Sequence, residues 1–159
     1  MLAISGSGHP NRRDSATEGI SGMMIRLYQE ADQVAVISLW RAALPDSAPH
    51  NDPATTIRKK REVGDDLFFV AEVEGQVAGT VMGGYDGHRG WVYSVAVAEP
   101  HRRRGIGGAL VRHLEAAFAE RGCMKVNLQV RASNAEVVAF YEVLGYGVEE
   151  RVSMGKRLY

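Results

Sequence analysis

The sequence predicts an α/β (α+β) domain with a mostly antiparallel sheet, and three observations support that prediction. The chain has 159 residues, of which 45% are hydrophobic and 24% charged, a size and balance typical of one domain with a substantial core. Three apolar, β-branched runs follow one another between turn signals in the middle of the chain. Segments with helical periodicity precede and follow these runs, so that helices and strands are expected to share one core.

The first residues differ in composition from the rest of the chain. Residues 1–22 are rich in Gly, Ser, Asn, Arg and His, and the first periodic pattern begins at Met23 and Met24. This composition favours a flexible leader, or an over-long start before an initiator at Met23 or Met24. We therefore expect a leader at 1–22 and a single domain at 23–159.

Two helices are predicted between the first strand and the central strands. A short strand at Met24–Leu27 leads into a helix at Gln29–Ala43, whose apolar residues recur on one stripe. Asp52 followed by Pro53 predicts the start of the second helix, because an acidic N-cap and a proline in the first turn both favour helix initiation. Gly64 predicts the end of that helix.

Strands and helices alternate in the remainder of the chain. A third helix is predicted from Ile106 to a C-terminal cap at Gly122, and a fourth helix ends at Gly145. Ser133 and Glu136 have the spacing of a capping box at the start of the fourth helix. By the same criteria, strands are predicted at Leu67–Val73, Val77–Tyr85, Trp91–Val97 and Lys125–Arg131, with closing strands at Val148–Val152 and Met154–Leu158.

Charge and cysteine content exclude several classes of function. Nineteen basic and nineteen acidic residues cancel, so that we expect no nucleic acid and no membrane as partners. Cys123 is the only cysteine, which excludes an intrachain disulfide or a cysteine-rich zinc site and favours a reducing, cytoplasmic location. No apolar run reaches the length of about 18 residues that a membrane span needs, and the five histidines lack metal-ligand spacing, so that we expect no metal.

The most informative segment is a basic, glycine-rich turn. Val95–Val97 is a short apolar run, and His-Arg-Arg-Arg-Gly-Ile-Gly-Gly follows at 101–108, where helical periodicity begins. Glycines let backbone N–H groups approach an anion, and the N-terminus of a helix is positive, so that this turn suits a diphosphate. A turn of this kind is also often a plain connection. The segment does not match a nucleotide P-loop, because it lacks the Lys-Ser/Thr ending. It does not match a dinucleotide-binding fold either, because that fold requires a parallel βαβ unit.

A second block supports the diphosphate interpretation. It comprises Asn127–Asn134 and then Ala139–Tyr146, which contains Phe-Tyr-Glu-x-Leu-Gly-Tyr. Together the two blocks resemble the GNAT family of acetyl-CoA-dependent N-acetyltransferases, and the order of elements agrees along the whole chain beyond the leader. The second block is most similar to enzymes that acetylate the N-terminal alanine of ribosomal proteins, whereas Gly79–Gly90 and Met154–Leu158 are more similar to bacterial YpeA-type acetyltransferases. The resemblance implies a GNAT fold, in which a mixed sheet is splayed at its middle strands and carries helices on both faces.

The resemblance also implies a site and a mechanism. Acetyl-CoA is the expected acyl donor, with its pyrophosphate on backbone amides of the turn and its pantetheine along the apolar run like an added strand. A backbone N–H near Val95 or Ala96 would stabilise the oxyanion, and Tyr141 would protonate the leaving thiolate as general acid. The coenzyme-binding residues implied in this way are Val95, Ala96, Val97, Arg102, Arg103, Arg104, Gly105, Ile106, Gly107, Gly108, Asn134 and Tyr141.

Several residues in this pattern have more than one interpretation. Tyr141 lies on the apolar stripe of its helix, where core packing alone would account for it, and Asn134 also stands where that helix begins. Many relatives use a carboxylate on one of the splayed strands as general base, but Trp91 and Gln129 stand at those positions here. Other candidates for the base are Glu72, Asp86, His88, Tyr93 and Glu99.

Three functions from different classes are consistent with the sequence. The first is an N-acetyltransferase that acts in a ternary complex on the primary amine of a peptide N-terminus, a lysine or a small molecule. The second is a non-catalytic acyl-CoA-binding regulatory module, for which the missing base is the argument. The third is a nucleic-acid-binding domain that uses Arg102–Arg104, which the neutral net charge disfavours. The sequence leaves a homodimer open.

Overall fold

Five strands form a sheet in which spatial order follows chain order. The strands are β1 (Met23–Leu27), β2 (Phe68–Val73), β3 (Gln76–Tyr85), β4 (Gly90–Val97) and β5 (Val126–Asn127). Strands β1 to β4 are paired antiparallel, whereas β5 runs parallel to β4. The prediction of a mixed, mostly antiparallel sheet is therefore confirmed.

Four α-helices accompany the sheet. They are α1 (Gln33–Ala43), α2 (Pro53–Val63), α3 (Ile106–Glu120) and α4 (Ala135–Val143), with short 3-10 turns at Glu30–Asp32, Pro49–Asn51 and Glu99–His101. No helix among the described residues is long and apolar enough to cross a membrane.

The computed structural model describes residues 20–44 and 48–159. All but the last three residues of the predicted leader lie outside these ranges. The chain divides into two compact units, the first ending at Leu128 and the second comprising Gln129–Tyr159. The whole sheet and helices α1 to α3 belong to the first unit, and α4 belongs to the second.

Local capping sets the ends of the first two helices. The Asp52 carboxylate accepts the Thr55 N–H at 2.9 Å, Pro53 is the first helical residue, and Gly64 ends α2 at φ 65°, as predicted. Helix α1 begins four residues later than predicted, because the chain first makes a 3-10 turn. The Asp32 carboxylate holds this turn by accepting the Gln29 N–H at 2.8 Å and two N–H groups of Arg26 at 2.8 and 2.9 Å.

Side chains of the sheet alternate between two cores. On β2, Phe69 and Ala71 pack on the side of α3, whereas Phe68 and Val70 pack on the side of α1 and α2. The helix residues buried in these cores are Ile106, Leu110, Leu114 and Phe118 of α3, Val36, Leu39 and Trp40 of α1, and Ile57 of α2. Helices therefore cover both faces of the sheet, as the resemblance implied.

Glycines on the sheet let α3 lie directly against it. A Cβ atom on Gly83 of β3 would lie 2.6 Å from Leu114 Cδ1 and 2.7 Å from Phe118 Cζ. Leu114 and Phe118 are fully buried, so that neither side chain has free space into which it can move. The close approach of α3 to β3 thus requires the absence of a side chain at Gly83.

We expect Gly83→Ala to lower the free energy of unfolding by about 1 to 3 kcal/mol, because the added methyl group overpacks this contact. Urea denaturation checks the value. Gly84→Ala is the matched control, since a Cβ there would meet only Tyr93 Cε2 at 3.9 Å, an ordinary van der Waals contact. Equal stability changes in the two variants would contradict the packing argument.

Three predictions about the C-terminal part of the chain were wrong. The strand predicted at Lys125–Arg131 is limited to Val126–Asn127, because its pairing with β4 ends after two residues. The N-cap of α4 is Asn134 rather than Ser133, and its Oδ1 accepts the Val137 N–H at 3.3 Å. The closing strands at Val148–Val152 and Met154–Leu158 do not form within the described residues. Their apolar side chains are exposed, and β-propensity without burial and a hydrogen-bonded neighbour does not make a strand.

Candidate functional site

The turn between β4 and α3 has the backbone geometry of an anion site. After β4 ends at Val97, Arg103 takes a left-handed conformation at φ 61° and Gly105 at φ 81°. Gly105 is the N-cap of the 15-residue helix α3 and provides no side-chain hydrogen bond. The first N–H groups of α3, from Ile106 to Gly108, consequently have neither an intrahelical acceptor nor a side-chain cap. Such N–H groups at the positive end of a helix attract an anion.

The open space and the positive charge at this turn also suit an anion. A Cβ on Gly105 would meet no atom within 4 Å, so that the space beside this residue is open. Arg102 Nε donates to the Val97 carbonyl at 3.1 Å, and Arg104 Nη1 lies 3.0 Å from His101 Nδ1. These two arginine contacts brace the turn from within, while the side chains of all three arginines remain exposed. The turn therefore combines ordered amides with positive charge.

Strand β4 has an edge that leads into this turn. The ladder between β4 and β5 consists of Gly90 with Val126 and Trp91 with Asn127, whereas β4 continues to Val97. The parallel pairing thus ends after two residues, and it lies between the last two strands of the described sheet rather than between its middle strands. Beyond Trp91, β4 is still paired with β3 on one side, but it has no partner in the ladder with β5 on the other side. An extended ligand could add to such an edge through main-chain hydrogen bonds.

An open strand edge that leads into an amide-rich, basic helix start is the arrangement that the resemblance implied. The model of the Acetyltransferase (GNAT) family matches residues 33–146, well over half of the chain. The chain belongs to the GNAT family. An acetyltransferase of Pectobacterium atrosepticum is 46% identical over 137 residues, which span 86% of this chain and 96% of that protein. This GNAT protein is an acetyl-CoA-dependent acyltransferase.

Solved structures agree with the assignment of the fold. Ard1 from Thermoplasma volcanium superimposes with a TM-score of 0.72 at 27% identity, covering 80% of this chain and 84% of that chain. The ribosomal-protein alanine N-acetyltransferase from Escherichia coli gives a TM-score of 0.62 at 25% identity, covering 77% of this chain and 76% of that chain. The GNAT fold predicted for this chain is therefore confirmed.

Tyr141 and Asn134 belong to the second unit. Tyr141 is only 8% exposed, and its ring lies edge to face with Phe140 at 4.9 Å and with Tyr146 at 5.6 Å. Burial raises the pKa of the Tyr141 phenol to about 12, so that the phenol keeps its proton at neutral pH. The Asn134 carbonyl oxygen caps α4, which leaves the amide NH2 group of the side chain as its donor to any ligand.

Three of the five candidates for the general base, Glu72, Asp86 and Tyr93, are weakened by their surroundings in the structure. Glu72 accepts Arg26 Nε at 2.9 Å, and the Asp86 carboxylate accepts the His88 and Arg89 N–H groups of its hairpin at 2.8 Å each. Those hydrogen bonds lower the pKa of Asp86, which weakens it as a base. Burial raises the pKa of Tyr93, so that its phenol stays protonated. Among the described residues, no group of three or more His, Cys, Asp or Glu side chains is arranged to hold a metal ion.

Sequence reasoning missed a buried polar cluster that connects α1 and β3 to β4. Thr80 of β3 is fully buried and shares hydrogen bonds with Trp40 and with the backbone of Ser94. The one available signal was a hydroxyl residue in the centre of the apolar run Val77–Tyr85. Such a signal identifies a buried polar group but not its partners, which come from elements distant in the sequence.

Proposed function

We propose that the protein transfers the acetyl group of acetyl-CoA to a primary amine, by direct attack of the amine in a ternary complex. The observation that carries this proposal is the continuity of the open β4 edge with the uncapped N-terminus of α3. A single ligand with an extended part and a diphosphate would contact the strand edge with the first and the helix N-terminus with the second. A nucleic-acid phosphate backbone would use the arginines but has no need of the strand edge.

The coenzyme would be held mainly by backbone groups. The N–H groups of the turn would bind the pyrophosphate, aided by the helix dipole and by the arginine charges. Pantetheine would extend along Val95–Val97 as an added strand, and the Asn134 amide would donate a further hydrogen bond to it. The residues proposed for the turn are Arg102, Arg103, Arg104, Gly105, Ile106, Gly107 and Gly108.

In the proposed reaction, the neutral amine attacks the carbonyl carbon of the thioester. The C–N bond forms while the carbonyl electron pair moves to oxygen, and a backbone N–H of the β4 segment near Val95 or Ala96 stabilises that oxyanion. The intermediate then collapses, the C–S bond breaks, and the CoA thiolate takes a proton from the Tyr141 phenol. The nitrogen loses its proton to water, and solvent returns a proton to Tyr141. The products are the N-acetyl amine and CoA thiol.

Water is the proposed acceptor of the amine proton, because Glu72 is engaged by Arg26 and Asp86 by N–H groups of its own hairpin. Trp91 is not a base, and the Gln129 amide donates a hydrogen bond to Ser153 Oγ within the second unit. The absence of a carboxylate at these two positions also favours a second candidate, a non-catalytic acyl-CoA-binding regulatory module. A peptide N-terminus, a lysine and a small amine are all acceptors of the proposed chemical class, and the relative that acetylates a ribosomal-protein alanine favours the first of these.

A screen for release of CoA thiol distinguishes the two candidates. Acetyl-CoA is combined with the protein and with peptides that begin with different residues, free lysine, polyamines or amino acids. We expect thiol release to depend on one class of amine and on the protein. Protection by acetyl-CoA against thermal unfolding, with no thiol release for any amine, would favour the regulatory module. If acetyl-CoA gave neither protection against thermal unfolding nor release of thiol, the proposed coenzyme site would be wrong.

A further inference from the structure

Strand β4 contains a bulge at the edge proposed to bind the thioester. The register with β3 runs from Thr80 opposite Ala96 to Met82 opposite Tyr93, so that two residues of β4, Ser94 and Val95, face a single residue of β3. Ser94 has a φ of 50°. A β-bulge leaves its extra residue out of the ladder and turns the local backbone. The bulge therefore frees main-chain groups near Val95 from pairing with β3.

A left-handed serine is a strained conformation that persists only where neighbouring groups hold it. Here the Thr80 hydroxyl donates to the Ser94 carbonyl oxygen at 3.0 Å. The same hydroxyl accepts a hydrogen bond from Trp40 Nε1 of α1 at 2.8 Å. Since Trp40 itself stacks on Phe68 with ring centroids 5.7 Å apart, the donor is anchored in the core. These contacts form a chain of hydrogen bonds from α1 through β3 to the bulge.

The buried hydroxyl of Thr80 has no role in the regular pairing of β3. Thr80 is fully buried and Trp40 is 3% exposed, an environment where valine would fill the same volume without a polar group to satisfy. Both hydrogen bonds of the Thr80 hydroxyl instead connect α1 to the bulge. The hydrogen bond to the Ser94 carbonyl therefore explains a buried hydroxyl at this position better than the pairing or packing of β3 does.

Fixing the Ser94 carbonyl also fixes the N–H of the next residue. The Ser94 carbonyl and the Val95 N–H belong to one planar trans peptide, in which the two groups point in opposite directions. Because the Thr80 hydroxyl holds the Ser94 carbonyl oxygen, the Val95 N–H of the same peptide is directed away from that hydroxyl. Strand β4 has no partner in the ladder with β5 beyond Trp91, so that an N–H turned away from Thr80 could meet a ligand on that side of β4.

We propose that Thr80, supported by Trp40, is a positioning residue that aims the Val95 N–H at the carbonyl oxygen of the thioester. This inference rests on the proposed acetyl transfer and names the donor for its oxyanion. Removal of one oxyanion donor commonly lowers kcat by about 100-fold to 1,000-fold, and a misdirected donor has a smaller effect. The hydroxyl itself touches no reacting atom and acts through the peptide that it orients.

Three variants test the role of the hydroxyl. Thr80→Val keeps the shape of the side chain and removes the hydroxyl, and we expect kcat to fall by about 10-fold to 100-fold with KM for acetyl-CoA little changed. Thr80→Ser restores the hydroxyl and is expected to recover most of that loss. Val70→Ala is the control, because Val70 is a fully buried residue directly opposite Thr80 on β2. It should lower the melting temperature while leaving kcat unchanged in an assay run well below that temperature.

A second readout does not depend on turnover. In 15N-labelled protein, acetyl-CoA and CoA without the acetyl group should shift the Val95 amide resonance differently, and Thr80→Val should abolish that difference. An acetyl-specific shift that survives in Thr80→Val, or a kcat of Thr80→Ser as low as that of Thr80→Val, would overturn the inference. So would the absence of an acetyl-specific shift in the wild type. Failure of the proposed function is seen separately, as a wild type that releases no thiol with any amine.

Discussion

Replacing Gly107 by glutamate is expected to abolish binding of acetyl-CoA. Gly107 lies in the first turn of α3, among the N–H groups that have no intrahelical acceptor. The new carboxylate would crowd these amides and repel the diphosphate. Two unit charges about 4 Å apart near a protein surface repel one another by about 4 kcal/mol, which corresponds to about three orders of magnitude in affinity. Isothermal titration calorimetry with acetyl-CoA measures the loss.

The Gly107→Glu variant should remain folded, because an acidic residue in the first turn of a helix interacts favourably with the helix dipole. Gly155→Glu is the matched control: it adds the same charge at an exposed residue where a Cβ would meet no atom within 4 Å. We expect its affinity for acetyl-CoA to equal that of the wild type. Wild-type affinity in Gly107→Glu itself would show that the diphosphate binds elsewhere.

Tyr141→Phe is expected to lower kcat by about 10-fold to 1,000-fold with little change in binding of acetyl-CoA, since it removes a general acid. The phenyl ring keeps the edge-to-face contacts with Phe140 and Tyr146, so that packing is preserved. Steady-state kinetics together with calorimetry separate the two effects. Because burial raises the pKa of Tyr141 to about 12, the phenol is a proton donor across the whole neutral range, and no loss of kcat from its ionisation is expected below about pH 10.

Tyr146→Phe provides the comparison for Tyr141→Phe, because it removes a phenolic hydroxyl from the same aromatic cluster. We expect its kcat to stay within about twofold of the wild type, because its hydroxyl has no part in the proposed reaction. If Tyr141→Phe turned over like the wild type, Tyr141 would be a packing residue only. If both variants lost activity equally, the hydroxyls would matter for the second unit as a whole rather than for proton transfer.

Elements with strong local signals could be predicted from the sequence. Helix α2 begins at Asp52 and Pro53 and ends at Gly64 because capping depends on residues adjacent in the chain. The central strands likewise follow from apolar, β-branched runs of sufficient length. The closing strands predicted after residue 147 failed because alternation of side chains does not supply a pairing partner or a buried face.

Some features of the candidate site could likewise be predicted from the sequence, whereas others could not. The glycine-rich turn could be predicted because its function resides in consecutive backbone amides and in the start of one helix, all within 101–108. The general base could not be predicted, and Glu72 and Asp86 became weaker candidates only when their hydrogen bonds were seen. A carboxylate is a base or a structural anchor according to its partners, and those partners come from other elements.

The sequence by itself determined the family, the acyl donor and the turn proposed to bind it, because each depends on contiguous residues whose spacing is preserved in the folded chain. Only the tertiary structure decided where the β4–β5 pairing ends, that β4 bulges at Ser94, and that Thr80 and Trp40 hold the bulge. These features join residues 40, 80 and 94, which approach one another only when a helix packs on a sheet. Local propensity acts over a few residues, whereas the direction of a single peptide group within a sheet is set by contacts between distant segments.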